Sequence, residues 1–226
     1  MQVGARDAFP VRSVFSARSG PRLGGDNPHF FLMAVIKQKS QRVGVFIDVQ
    51  NMYYSAKNLY NCRVNFGNIV ETAVGERQLV RAIAYVVRAG VPEEQSFFDA
   101  LIKLGIETKE REVQVFLGGA KKADWDVGMV VDAIRLSPKL DVVVLVSGDG
   151  DFIPLVEYLQ NMGIQTEVMA FRETSSSKLV EEVDDYIDLS RDQERYLIPT
   201  RHTGRGVGAR APKQAAAVSA KGALRP

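Results

Sequence analysis

The sequence predicts an α/β fold built on a mostly parallel sheet with helices on both faces, and three observations predict it. Strand-like and helix-like stretches alternate between residues 42 and 190. The strand stretches are near-continuous apolar, β-branched runs, and several helical stretches stop at Gly105, Pro138 or Gly163. A strand that is apolar along its whole length is covered on both sides, which is the situation of a strand in a parallel sheet between helices.

Taken in order, RVGVFID (42–48) is a short strand that runs out at Asp48. MYYSAKNLY (52–60) and Phe66 to Val74 read as helices, and LVRAIAYVV (79–87) as a strand. Pro92 opens a helix through about Leu104, a position where the missing N–H costs nothing. VQVFL (113–117) is the expected third strand, and Val127 to Leu136 the helix that follows. DVVVLVS (141–147) is a strand, FIPLVEYLQNM (152–162) a helix and IQTEVMAF (164–171) a strand. A helix from about Ser177 to Val183 and the segment YIDL complete the series.

With 226 residues, 46% of them hydrophobic, the chain can bury one substantial core. No apolar run approaches the roughly 18 to 20 residues that cross a bilayer, so a cytoplasmic protein is expected. The lone Cys62 excludes an internal disulfide and a cysteine-cluster metal site, and His29 and His202 both fall in the flanks. The net charge of +2 conceals an uneven distribution. Residues 1–42 carry seven Lys/Arg against Asp7 and Asp26, and residues 199–226 carry six and no acid. The stretch between holds 16 basic and 25 acidic residues, a net of −9. The expected organisation is therefore a flexible basic extension over 1–42, a domain over 43–190 and a flexible basic tail over 191–226, with Met33 as an alternative start.

The acids fall at particular places. Asp48 ends the first strand, and Asp149 ends the fourth with Asp151 in the following turn. Asp126 stands at the mouth of the helix after the third strand, where the helix dipole tolerates negative charge. In a doubly wound sheet these positions open on one edge, where ligands bind. Two charges 4 Å apart repel by roughly 4 kcal/mol at an effective dielectric near 20, so such a cluster calls for a cation or a proton. An all-carboxylate donor set suits Mg²⁺ or Mn²⁺, and such an ion can activate water against a phosphodiester. The same aspartates also suit turns and helix caps. Ser147 is placed to orient a carboxylate. Lys121 and Lys122 suit a phosphate or plain solvent, and Tyr53, Tyr54 and Trp125 suit base stacking or packing. Phosphate-loop, dinucleotide-binding and G-x-S-x-G motifs are absent.

VGVFIDVQNMYYS, KKADWDVGMVVDAI, VLVSGDGDFIPLVEYLQNMGIQTEV and SSKLVEEVDDYIDL resemble, in order and spacing, the NYN domain of the PIN-like nucleases, in particular its LabA-like branch. The resemblance implies a three-layer α/β/α sandwich with five or six strands, and a metal-dependent ribonuclease site made by aspartates. Residue by residue it selects Asp48, Asn51, Asp126, Asp132, Asp149 and Asp151; Asn51 and Asp132 are expected to support the site and not to bind the metal directly, and the role of Asp124 stays open. The function expected is hydrolysis of RNA, single-stranded and recruited in part by the basic arms, with Mg²⁺ or Mn²⁺ held by Asp48, Asp126, Asp149 and Asp151. The alternative is a regulatory or scaffold member of the family that binds RNA or protein, as a homo-oligomer or with a partner, without cutting.

Overall fold

The computed structural model describes residues 35–88, 94–112, 114–115, 121–122 and 125–200. The elements are β1 (Arg42–Asp48), α1 (Val49–Tyr60), β2 (Cys62–Val64), α2 (Phe66–Val74), β3 (Gln78–Arg88), α3 (Glu94–Lys103) and β4 (Glu107–Glu112). They continue with β5 (Gln114–Val115), β6 (Lys121–Lys122), α4 (Asp126–Leu136), β7 (Val142–Val146), α5 (Ile153–Asn161) and β8 (Gln165–Ala170). The last are α6 (Ser177–Glu182), β9 (Asp185–Asp188), α7 (Gln193–Tyr196) and β10 (Leu197–Pro199). Six strands form one sheet in the order β4-β3-β1-β7-β8-β9, every neighbouring pair is parallel, and helices cover both sides. The order runs one way from β1 to β4 and the other way from β7 to β9, so it reverses between β1 and β7.

The two central strands explain why the sheet forms. Val43 to Ile47 of β1 and all of β7 are buried, and each valine or isoleucine so placed contributes about 1.5–3 kcal/mol. Gly44 lies where a Cβ would come 2.5 Å from a Leu140 methyl carbon, so this position admits no side chain without moving Leu140.

The third strand differs from expectation. It is β4, the charged segment ETKERE, whereas Gln114–Val115 pairs with Lys121–Lys122 in a separate two-stranded ribbon. Residues 113 and 116–117 of the expected strand lie outside the described residues. The edge position is the physical reason: an outer strand is half in water, and charges there oppose pairing with another chain. The charges are satisfied laterally, by Arg81 with Glu107 and by Arg88 with Glu110 at 2.8 Å.

The described domain also exceeds its expected bounds. Among residues 35–41, Lys37 pairs with Asp185 at 2.7 Å and the Gln41 amide donates to Gln165 at 3.1 Å, tying this segment across the strand starts. Past residue 190 the chain forms α7 and β10, and β10 pairs antiparallel with β2. Tyr196 and Leu197 are buried there, so the tail expected from residue 191 is structured through Pro199. Residues 1–34 and 201–226, the remainder of both basic arms, lie outside the described residues. Among the described residues no helix is long and apolar enough to cross a membrane.

Near the strand starts, Arg77 meets Glu167 through two hydrogen bonds of 2.5 and 2.9 Å, with side chains 4% and 0% exposed. Arg77 also donates to the carbonyls of Ala73 and Val74, and Gln165 donates to Glu167. Such a pair is costly to break because the surviving charge stays buried. Replacing Arg77 alone (Arg77→Met) is expected to lower unfolding stability by about 3–5 kcal/mol, and adding Glu167→Met to recover most of it, as measured by urea denaturation.

Candidate functional site

The register of the central strands sets the site. The last β1–β7 pair is Ile47 with Val146, so Asp48 emerges beside Ser147, while on its other flank it pairs with Tyr85 of β3. Asp48 serves as the N-cap of α1: its Oδ1 accepts the Asn51 N–H at 3.0 Å, and its Oδ2 accepts the Ser147 hydroxyl at 3.4 Å. The Asn51 side-chain oxygen in turn accepts the Gly148 N–H at 3.2 Å, fastening the start of α1 to the loop after β7. Asp149 follows, its N–H donating to Ser147 Oγ at 3.3 Å and its Oδ1 accepting the Asp151 N–H at 3.0 Å. Glycine at 148 is steric: a Cβ there would stand 3.0 Å from both Ser175 Cα and the Thr174 carbonyl.

Helix α4 brings the third carboxylate, since Asp126 is its first residue. Its placement rests on neighbouring contacts. The Trp125 indole N–H donates to the Val86 carbonyl at 2.9 Å, and a Cβ on Gly128 would come 2.6 Å from the Trp125 ring. One turn and a half further on, Asp132 accepts the Tyr85 hydroxyl at 2.9 Å and pairs with Lys109 at 2.5 Å. Burial opposes ionisation of Asp132, but the Lys109 and Tyr85 hydrogen bonds outweigh it and hold its carboxyl below the usual range. Burial and the Asp132 carboxylate push the Tyr85 hydroxyl upward, so it remains a donor. Asp132 therefore anchors α4 over β3 and β4.

These strand ends and helix starts enclose a pocket of about 390 Å³. Asp48, Asp126 and Asp149 line it, with Gln50, Asn51, Tyr54, Ser55 and Asn58 continuing the wall along α1 and Thr174 adding to it from the turn after β8. Burial pushes the Asp48 carboxyl up to about 6; the Asn51 N–H and Ser147 hydroxyl pull against this, and the charges of Asp126 and Asp149 add to it. Asp151 is exposed and outside the lining, and Asp132 faces Lys109 instead. Asp124 and the side chains of Lys121 and Lys122 lie outside the described residues. Four converging metal-binding aspartates were expected; three share the pocket.

The donor set fits a hard dication in chemistry, being all oxygen and mutually repelling. Among the described residues, no three His, Cys, Asp or Glu side chains stand close enough to form a metal shell as they are. Tyr85, Gln50, Asn58 and Thr174 were not singled out from the sequence. For Gln50 and Asn58 the signal was present, because they stand four residues either side of Tyr54 on one helix face.

The raised carboxyl of Asp48 has a consequence for stability. The native state holds its proton more tightly than the unfolded chain, so stability falls as pH rises from about 4 to about 6 and stays lower above. Asp48→Asn keeps a capping oxygen and removes the charge. It is expected to raise stability at pH 7 by about 2–3 kcal/mol, and by close to nothing at pH 4, in urea denaturation at the two pH values.

The NYN domain family matches this chain over residues 42–190. Low amplitude and bright protein LabA of Synechococcus elongatus is 26% identical over 161 residues, which cover 67% of this chain and 86% of that protein. A crystal structure of a Vibrio parahaemolyticus protein of unknown function is similar, with a TM-score of 0.65 and 29% identity over 73% of this chain and all of the other.

Proposed function

Because the chain belongs to the NYN domain family, we propose that its pocket hydrolyses RNA phosphodiester bonds with the help of magnesium or manganese. One observation carries this reading: three aspartates from separate segments, Asp48, Asp126 and Asp149, line one pocket where the sheet order reverses, and Asp48 feels the charge of the other two. Their carboxylates would hold the ion, which when bound supplies Lewis acidity towards water and the phosphoryl oxygens.

The remaining roles belong to the chain's own groups. Ser147 and Asn51 fix the Asp48 carboxylate and the Ser-Gly-Asp loop against each other, so two of the three acids keep their relative position. Asp132, held by Tyr85 and Lys109, positions Asp126 through α4 without lining the pocket. Asp151, exposed beside Asp149, would reach the ion only through water. Trp125 forms part of the same lining, its ring held by the indole N–H on the Val86 carbonyl.

A non-catalytic RNA- or protein-binding module is the second reading. The observation in its favour is that, among the described residues, no ready shell of three ligating side chains exists.

Incubating the full chain with labelled single-stranded RNA and Mn²⁺, beside Asp149→Asn, separates the two. Cleavage that falls by about 100-fold or more in the variant is the expected result, and equal background in both proteins favours the second reading. Independently of turnover, Mn²⁺ is expected to raise the melting temperature of the wild type, with the rise lost in Asp149→Asn.

A further inference from the structure

We propose that the exposed face of α1 bearing Gln50, Tyr54 and Asn58 recognises unpaired nucleobases, so that the pocket takes single-stranded nucleic acid by its bases. This rests on the reading of the pocket as an RNA site.

The three residues recur every four positions, each is exposed, and all line the pocket that holds the aspartates. From Gln50 to Asn58 they cover about 12 Å of helix, leading from the carboxylates outward. Among the described residues lining the pocket there is no lysine or arginine, and three aspartates lie at its inner end. A phosphate along this wall would meet like charge and, among the described lining residues, no cation, so the part of a nucleotide that suits it is the neutral base. The chemistry of the wall agrees. Gln and Asn amides each present a donor and an acceptor, the pattern that matches a free Watson–Crick edge, and no hydrogen bond ties either side chain to another described residue. Tyr54 supplies a stacking surface.

The other aromatic residues nearby are already engaged. Trp125 has its N–H on the Val86 carbonyl, the Arg111 guanidinium over its ring at 4.6 Å and Tyr85 against it at 5.5 Å. Tyr53 lies outside the lining and carries the Lys57 ammonium at 5.4 Å from its ring. Tyr54 is half exposed and touches Tyr53 edge-on, which leaves it as the platform on the pocket side. A duplex has its Watson–Crick edges paired and its base faces stacked, so neither is open to this wall.

The test measures binding by the full chain in EDTA, so that no cutting occurs, using fluorescent oligoribonucleotides, oligodeoxyribonucleotides and an RNA duplex of equal length. Both single strands expose the same base chemistry, and the two arms decide whether the 2′-hydroxyl is also read. Tyr54→Ala is expected to weaken single-strand binding about five- to hundredfold, Tyr54→Phe to restore it, and the salt dependence to stay unchanged because no phosphate contact is lost. Gln50→Ala with Asn58→Ala is expected to flatten the preference among homopolymers. Unchanged single-strand affinity in Tyr54→Ala, or equal binding of the duplex, overturns the proposal. Cleavage distinguishes it from the reading it rests on. A wild type that cuts RNA while Tyr54→Ala binds and cuts normally defeats only the base-recognition role. A wild type that binds through Tyr54 but never cuts defeats only the ribonuclease.

Discussion

The parallel pairing of β1 with β7 is the constraint on which the site depends. Strand order reverses at this seam, so the two chains leaving it diverge and open a crevice at their ends. Register then does the positioning. With Ile47 opposite Val146, the next residues on the two strands are Asp48 and Ser147, already within hydrogen-bond reach. A slip of one residue between the strands would turn one of these side chains to the face opposite the other. The buried valines of β7 that drive the pairing and the acids that follow it are therefore one device.

The two ends of the sheet treat charge in opposite ways. Near the strand starts Glu167 is buried but met by Arg77, with Lys37 at 3.6 Å. At the strand ends both oxygens of Asp48 face neutral donors, a backbone N–H and a hydroxyl, while other carboxylates stand nearby. Neutral donors orient a carboxylate without neutralising it, which leaves charge available for a ligand. Among the described residues, two cations of this part of the domain are engaged elsewhere: Lys109 is taken by Asp132 and Arg111 lies over Trp125.

Much of this was legible in the sequence. The uninterrupted apolar runs at β1, β7 and β8 gave the parallel core, and Asp48 and Asp149 stood at their ends where the topology brings strand ends together. What was not legible had a physical cause in each case. ETKERE offers no apolar run because a half-exposed edge strand carries charge, so the neighbouring VQVFL attracted the assignment. Asp151 looked equivalent to Asp149 by spacing, yet a 3₁₀ turn over Gly150–Phe152 sends it to solvent. Asp132 reads from its spacing as a supporting acid and not a direct ligand, but its partners Lys109 and Tyr85 are remote in sequence and could not be read there.

The family match stops at residue 190, whereas β10 returns to lie against β2 and Thr200 Oγ1 donates to the Asn61 carbonyl at the end of α1. The last described stretch thus acts as a buckle on the helix that bears the pocket wall. Its consequence is for where the molecule can be cut: trimming to the family boundary would strip Tyr196 from beside α2 and release the far end of α1. A faithful minimal fragment has to run to Thr200, and anything fused beyond it would be delivered next to that helix.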